Sequence, residues 1–425
     1  MAERRGPFAK KLWGTRERTV MALGVINRRW MVILIAAAAI AFTAKLVLAL
    51  TTYGTNDILT WEADLRQLES GGVLQLYRQG SMPVWHGTVY GSERFNHPPF
   101  IISMLRLWGW AATQSGLPLR FWLRLTSAIA DVGSLVLVWK ILSDKSRPRL
   151  LSLLLVALSP ASIMISGFHG NTDPIMVMLI LLCIYLIEAG RPAWLAGAAL
   201  GMALNIKIVP ILFAPAILAY VRRRPQFVLG AAAVVILGGM PYMAQDPLLI
   251  ANRVLGYSSN PVDWGFPRLI QALAPGRLSA VYASVAKPLA LASILIATFW
   301  MNSRRVAKAP LFLQCGFIAF LFLFFAPGFG VQYLAWLVPW CAALTVGSIV
   351  FYYVSSTAFL FAAYTLWSGG FPWYLASSLE PQKPRAALIT VLLEMACWIS
   401  IGLVALAYRE KLNPTSETMP VKQAS

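Results

Sequence analysis

Apolar and polar residues alternate along this chain in long blocks, not with the period-two rhythm of strands. Apolar runs recur at about 31–50, 99–114, 121–142, 149–166, 174–188, 193–207, 208–221, 226–244, 283–301, 310–326, 331–348, 350–367 and 384–408. At about 1.5 Å of rise per helical residue, most of these runs cover much of a ~30 Å hydrocarbon core. The pattern predicts an all-α, polytopic transmembrane protein of about 12–13 spans.

Polar segments set the orientation. Residues 1–29 carry eight basic and two acidic side chains. The run that follows, Met31–Leu50, is longer than the apolar stretch of a secretory signal. An uncleaved anchor with a cytoplasmic, basic N-terminus (1–30) is expected, followed by a membrane domain (31–410) and a disordered cytoplasmic tail (411–425). Basic clusters at Lys145/Arg147/Arg149, Arg191, Arg222–Arg224, Arg304/Arg305/Lys308 and Arg409/Lys411 fall on the cytoplasmic side under the charge rule.

The first span then delivers the chain outside near Thr51, into a polar loop (52–98) holding five of the seventeen acidic residues, Asp57, Glu62, Asp64, Glu69 and Glu93. Leu59, Trp61, Leu65, Leu68, Leu74 and Leu76, spaced among those charges, predict short amphipathic helices at the interface. Between Pro98 outside and Lys145 inside there are two apolar segments where an odd number of crossings is needed. Segment 99–114 is therefore the candidate for a re-entrant, non-crossing element. Counting onward puts the His169 loop, the bend at Lys207, the loop 245–282 and the turns at 327–332 and 369–373 together on the outer face.

Composition narrows the class. The chain of 425 residues is 58% hydrophobic and 12% charged, against about 45–50% and about 25% in a soluble domain. Its net charge of +19 sits in short clusters between apolar runs, so membrane retention accounts for it better than nucleic acid does. Cys183, Cys315, Cys341 and Cys397 are isolated in apolar runs, without the spacing of a disulfide framework or zinc site. Neither a Walker loop nor a dinucleotide fingerprint is present.

Five places concentrate chemistry. Asp57, just past the first span, is placed either to cap the helix from Ile58 or, beside apolar surface, to act as a general base with raised proton affinity. Gly167-Phe-His-Gly-Asn-Thr-Asp-Pro174 is a complete interhelical turn with Asp173 as cap, yet a turn does not require His169 as well. Lys207, fifteen residues beyond Pro192 and roughly 22 Å up a helix, lies at outer-leaflet depth, where a lipid phosphate is a natural partner. Lys45 reaches a similar level, roughly 21 Å into the first span, with snorkelling as the plainer account. Arg253 and Arg268 share the late outer loop with Trp264. All three histidines, His86, His97 and His169, fall on the outer face, where a divalent metal with Asp57 or Asp173 is conceivable; no ligand spacing supports it, and no cofactor is expected.

The order of features resembles a known superfamily. A first span, an outer loop with an early Asp, Asn96-His-Pro-Pro-Phe100, Arg124-Leu-Thr-Ser-Ala128, Gly167–Pro174, Gly201–Pro210 and Gln332-Tyr-Leu-Ala-Trp-Leu-Val-Pro339 together resemble the C-type integral membrane glycosyltransferase superfamily (GT-C). They are most similar to bacterial polyprenyl-phosphate-mannose-dependent mannosyltransferases. The resemblance implies a cell-envelope enzyme of the plasma membrane that moves a sugar, mannose foremost, from a polyprenyl-phosphate donor to a glycolipid or glycan hydroxyl outside, with inversion. It implies Asp57 as base, although Asn56 and Ile58 flank it where some relatives have a paired acid. Lys207, then Arg268 and Lys45, are the implied donor-phosphate ligands. His169, Asp173, Gln332, Tyr333, His97 and Trp264 are implied to contact substrate. A transporter or flippase of lipid-linked sugars is the alternative; the absence of an internal repeat and the gathering of polar residues at one face favour an enzyme.

Overall fold

The computed structural model describes residues 7–89, 94–142, 147–256, 264–274, 276–303, 309–378 and 384–413. Glu93, Lys145, Arg304, Arg305, Lys308 and most of the tail lie outside the described residues. In chain order the α-helices are α1 (Pro7–Thr51), α2 (Asn56–Gln79), α3 (Phe100–Ser115), α4 (Leu119–Ile141), α5 (Arg147–Ala157), α6 (Pro160–Met164), α7 (Asp173–Glu188) and α8 (Ala193–Ile206). Next come α9 (Ala214–Tyr220), α10 (Arg224–Met243), α11 (Pro247–Leu255), α12 (Gly265–Leu273), α13 (Arg277–Ser303), α14 (Leu311–Phe325), α15 (Val346–Trp367) and α16 (Pro384–Lys411). The fold is a polytopic helical membrane fold, and each apolar run read from the sequence falls on a helical stretch.

Among the described residues, seven stretches are long and apolar enough to cross a membrane: Arg28–Thr51, Leu119–Ile141, Arg149–His169, Arg224–Met243, Ser284–Asn302, Val346–Trp367 and Pro384–Lys411. Shorter apolar helices accompany them, at Ala193–Ile206, Val209–Tyr220, Leu311–Phe325 and Val331–Ala343. The last of these departs most from expectation. Instead of one α-helix, Val331–Trp336 and Pro339–Ala343 are 3₁₀ turns, broken at Pro339. Such a stretch leaves carbonyls without α-helical partners, and buried backbone must find others. Side chains of surrounding helices supply them: Tyr352 donates to Leu334 O, Tyr408 to Trp340 O, Ser152 to Leu344 O and Lys411 to Ala343 O.

Segment 99–114 forms α3, which packs on α2. His97, just before it, packs tilted against Trp61 at 4.7 Å between ring centroids. Trp108 meets the same Trp61 edge-on at 6.5 Å. Helix α4 begins only three residues beyond α3, and its Arg120 lies 3.7 Å from Glu62. Helix α3 is absent from the stretches long and apolar enough to cross a membrane, and it packs against α2. Helix α2 is the expected amphipathic element, bent at Gly72 (φ 74°), with Leu59, Trp61, Leu68 and Leu76 buried. Arg253 on α11 donates to the Tyr77 and Arg78 carbonyls at its end. Beyond it, Val84–Trp85 and Thr88–Val89 form a short antiparallel hairpin that the hydrophobic pattern does not signal.

The four cysteines are buried and unpaired with one another, as small core residues. Inside the bundle, Lys45 of α1 meets Asp131 of α4 at 2.5 Å, with Ser162 and Ser166 also on that carboxylate.

Candidate active site

The site is assembled where the α1–α2 junction meets the turn between α6 and α7. Residues Tyr53 and Gly54 both donate to Tyr374 O, at 2.8 and 3.0 Å, and Gly54–Thr55 pairs in parallel with Leu375–Ala376. Arg124, fully buried, donates to the Leu48, Thr52 and Tyr53 carbonyls and so closes the end of α1, where helix carbonyls lack partners. One turn along α4, Ser127 donates to Asn171 O at 2.6 Å. The Arg124–Ala128 motif therefore holds both loops from one helix face. Gly54 (φ +117°) and Gly170 (φ +82°) sit where these loops touch. A Cβ on the first would strike the Arg124 guanidinium and the Phe168 carbonyl, and on the second the Ile58 side chain.

Helix α6 runs into a π-helical turn, Ile165–His169, closed by Gly170 N donating to Ile165 O. Single π turns inserted in helices are frequent at functional sites. Here His169 Nε2 lies 3.0 Å from Asp57 Oδ2, while Nδ1 lies 3.0 Å from the Tyr364 hydroxyl. Asn171 Nδ2 donates to the same Asp57 oxygen at 3.0 Å. Its other amide atom, Oδ1, accepts from Thr172 N and from Lys207 Nζ at 3.3 Å. Lys207 closes α8 in extended conformation and donates to Asp173 Oδ1 at 2.7 Å. Trp336 Nε1 donates to that oxygen too, at 2.8 Å. Asp57, Asn171, Lys207, Asp173 and Trp336 thus form one continuous polar chain.

A cavity of about 230 Å³ opens on this chain, lined by Asp57, Asn171, Lys207, Gln332, Tyr333 and Trp336 on one side and by Trp61, Arg94, Asn96 and His97 on the other. It combines apolar and aromatic walls with a few convergent polar groups, the usual make-up of a small-molecule site. Burial works to raise the proton affinity of Asp57, but the charge and hydrogen bond of His169, the Asn171 amide and the Lys207 ammonium outweigh it. Its carboxyl therefore lies below the usual 3.8, not above it as expected from the apolar setting alone. Burial pushes His97 down to about 3, helped by Lys207 and opposed by Asp57, so it is a neutral imidazole.

The structure brings Asp57, His97, Lys207, Gln332 and Tyr333 to this cavity, with His169 and Asp173 directly behind it. Three residues implied by resemblance lie elsewhere. Lys45 is 4% exposed and held by Asp131 within the bundle. Arg268 Nε is 2.8 Å from Glu394 on α16. Trp264 is fully buried, stacked on Phe329 at 3.7 Å with its indole N–H on Leu323 O. Each is engaged by a partner that a linear reading cannot place. The cap assigned to Asp57 belongs to Thr55, and Asp173 is the counter-ion of Lys207 in place of a cap. Sequence reasoning left Asn171, Arg94, Trp61 and Trp336 unassigned as site residues. Asn171 and Trp336 lie inside quoted motifs, whereas Arg94 has no local signal. Among the described residues, no three His, Cys, Asp or Glu side chains converge as ligands for one ion.

Residues 96–240 match the family model described as Dolichyl-phosphate-mannose-protein mannosyltransferase. The match covers about a third of the chain and spans His97, His169, Asn171, Asp173 and Lys207. No curated protein matches the chain. Among solved structures, the chain is similar to the crystal structure of ArnT from Cupriavidus metallidurans in the apo state, at 14% identity and a TM-score of 0.48, over 91% of this chain and 78% of that one.

Proposed function

We propose that this membrane protein transfers a sugar, with mannose as first candidate, from a polyprenyl-phosphate donor to a glycolipid or glycan hydroxyl on the extracytoplasmic side of the plasma membrane, with inversion. The observation that carries the reading is the Asn171 amide, which touches a carboxylate, Asp57, through one atom and an ammonium, Lys207, through the other, at the wall of one cavity. A base and a cation so placed suit a displacement at an anomeric carbon whose leaving group is a phosphate. The family model that matches residues 96–240 is named for a donor of the same kind, a mannose carried on a long-chain isoprenoid phosphate.

In this reading the acceptor oxygen forms its bond to the anomeric carbon as the bond from that carbon to the phosphate oxygen breaks on the opposite face. The acceptor proton goes to Asp57, and the bonding electron pair leaves with the phosphate. Asp57 is ionised in advance, and the hydroxyl becomes acidic as the new bond forms, so a weak base suffices late in the step. Lys207 stabilises the charge developing on the leaving phosphate, and Arg94, exposed at the rim, adds a second cation there. His169 bridges the Tyr364 hydroxyl, at Nδ1, and Asp57 Oδ2, at Nε2, which makes it a positioning residue.

The test is transfer in purified, lipid-reconstituted protein given radiolabelled polyprenyl-phosphate-mannose and a membrane glycolipid extract, wild type beside Asp57→Asn. Label entering a larger glycolipid with wild type alone is the expected result. No transfer, together with donor movement between leaflets, would replace the enzyme with a flippase.

A further inference from the structure

Helices α7 and α8 run away from the active site for 16 and 14 residues, about 24 and 21 Å. At their far ends lies a second cleft, of about 580 Å³, between the α7–α8 turn and the α9–α10 turn. Three arginines from the two turns line it, Arg191, Arg222 and Arg223, all exposed. Among the described residues none of the three is paired with a carboxylate. Tyr220, Pro192 and Ala193 are also part of the wall.

Cytoplasmic retention explains basic residues in these loops, but it requires only net charge near the ends of spans. It does not require guanidinium groups from two separate turns around one cavity. A guanidinium presents a planar fork of donors that fits phosphate oxygens in pairs, with a lower hydration penalty than an ammonium. The surroundings are those of a lipid. Trp194, the next residue after the cleft wall, is 53% exposed, and the first turns of α10 expose Val228 and Leu229. An aromatic residue at the interface and aliphatic surface beside a cationic cleft match a phosphate headgroup with its acyl chains alongside.

We propose that this cleft binds the phosphate headgroup of an anionic phospholipid. The bound lipid ties the α7–α8 turn to the α9–α10 turn, and so braces the two helices whose opposite ends carry Asp173 and Lys207. The assignment is independent of the transferase reading.

Native mass spectrometry of the full chain in detergent, titrated separately with phosphatidylglycerol, phosphatidylcholine and inorganic phosphate, tests it. Wild type is expected to retain phosphatidylglycerol in preference to phosphatidylcholine, and each arginine changed to glutamine is expected to weaken retention roughly fivefold. Equal retention of the two lipids overturns the proposal, as does unchanged retention by the Arg191→Gln/Arg222→Gln/Arg223→Gln variant. Competition by inorganic phosphate at the same concentration would assign the cleft to free phosphate and remove the lipid. The three side chains are exposed, so the lipid-free unfolding temperature of the triple variant is expected to equal that of wild type. Should the triple variant fold poorly, Arg222→Gln alone carries the same comparison.

Discussion

Thr55 stands in the N-cap position before Asp57, its hydroxyl oxygen accepting from Asp57 N at 3.3 Å, while Thr55 itself donates to His169 O at 3.0 Å. One threonine thereby caps α2 and ties it to the π turn. The capping duty falls on Thr55, which leaves the Asp57 carboxylate free to face the cavity. Asp57→Asn should then remove transfer while leaving the unfolding temperature nearly unchanged. Thr55→Ala should cost about 1 kcal/mol of stability, the usual worth of a cap, and should reduce transfer by displacing Asp57. A large loss of stability in Asp57→Asn would return that residue to a structural role.

The pH dependence of transfer follows from the balance around Asp57. Burial raises its proton affinity and His169 is the largest opposing influence. A base with a depressed pKa stays ionised as pH falls to the ordinary carboxylate range, so wild-type kcat/KM should show no acid limb from Asp57 above about pH 4. In His169→Gln the upward push of burial is opposed only by Asn171 and Lys207, and the acid limb should move to higher pH. An unmoved limb in that variant would show that His169 does not position or tune the base.

Lys207 has a dual attachment that complicates its test. Replacing it with Met removes the cation from the cavity but also strands Asp173, which is fully buried. Removing one partner of a buried pair costs about 3–5 kcal/mol. The Lys207→Met/Asp173→Asn double variant should recover much of that stability yet still bind donor weakly. Donor affinity equal to wild type in the stable double variant would exclude Lys207 as the phosphate ligand.

Lys45 offers the opposite outcome. Its ammonium is taken up by Asp131 and Ser162 within the bundle, so Lys45→Met should destabilise by about 3–5 kcal/mol. Lys45→Met/Asp131→Asn should restore stability and leave donor affinity unchanged. A selective loss of donor binding in that double variant would return Lys45 to the phosphate site.

His97 supplies a stability effect with its own sign. Its folded-state pKa of about 3 lies below the ordinary 6.5, so on acidification the unfolded chain takes up a proton that the folded chain refuses. Its stability contribution is complete above about pH 6.5 and declines as pH falls toward 3. Unfolding temperature followed from pH 7 to pH 4 should fall less steeply in His97→Gln than in wild type.

The sequence by itself determined the membrane architecture, because a hydrocarbon core demands long apolar runs with their backbone satisfied inside the helix, and such runs are visible one residue at a time. It also determined the amphipathic α2 and the gathering of Asp57, His97, Lys207 and Gln332 at one end, because crossing number and loop charge are linear quantities. Only the tertiary structure decided which polar residues face the cavity. Lys45 and Lys207 sit at similar depths in apolar runs and read alike. Their fates differ because Asp131, 86 residues away, takes up Lys45 within the bundle, whereas Asp173 and Asn171, 34 and 36 residues away, hold Lys207 at the cavity wall. The same holds for the proton affinity of Asp57, which local apolarity pushes upward and which partners more than a hundred residues distant bring down. Pairing energies depend on distance in space and on the local dielectric, and neither is written along the chain.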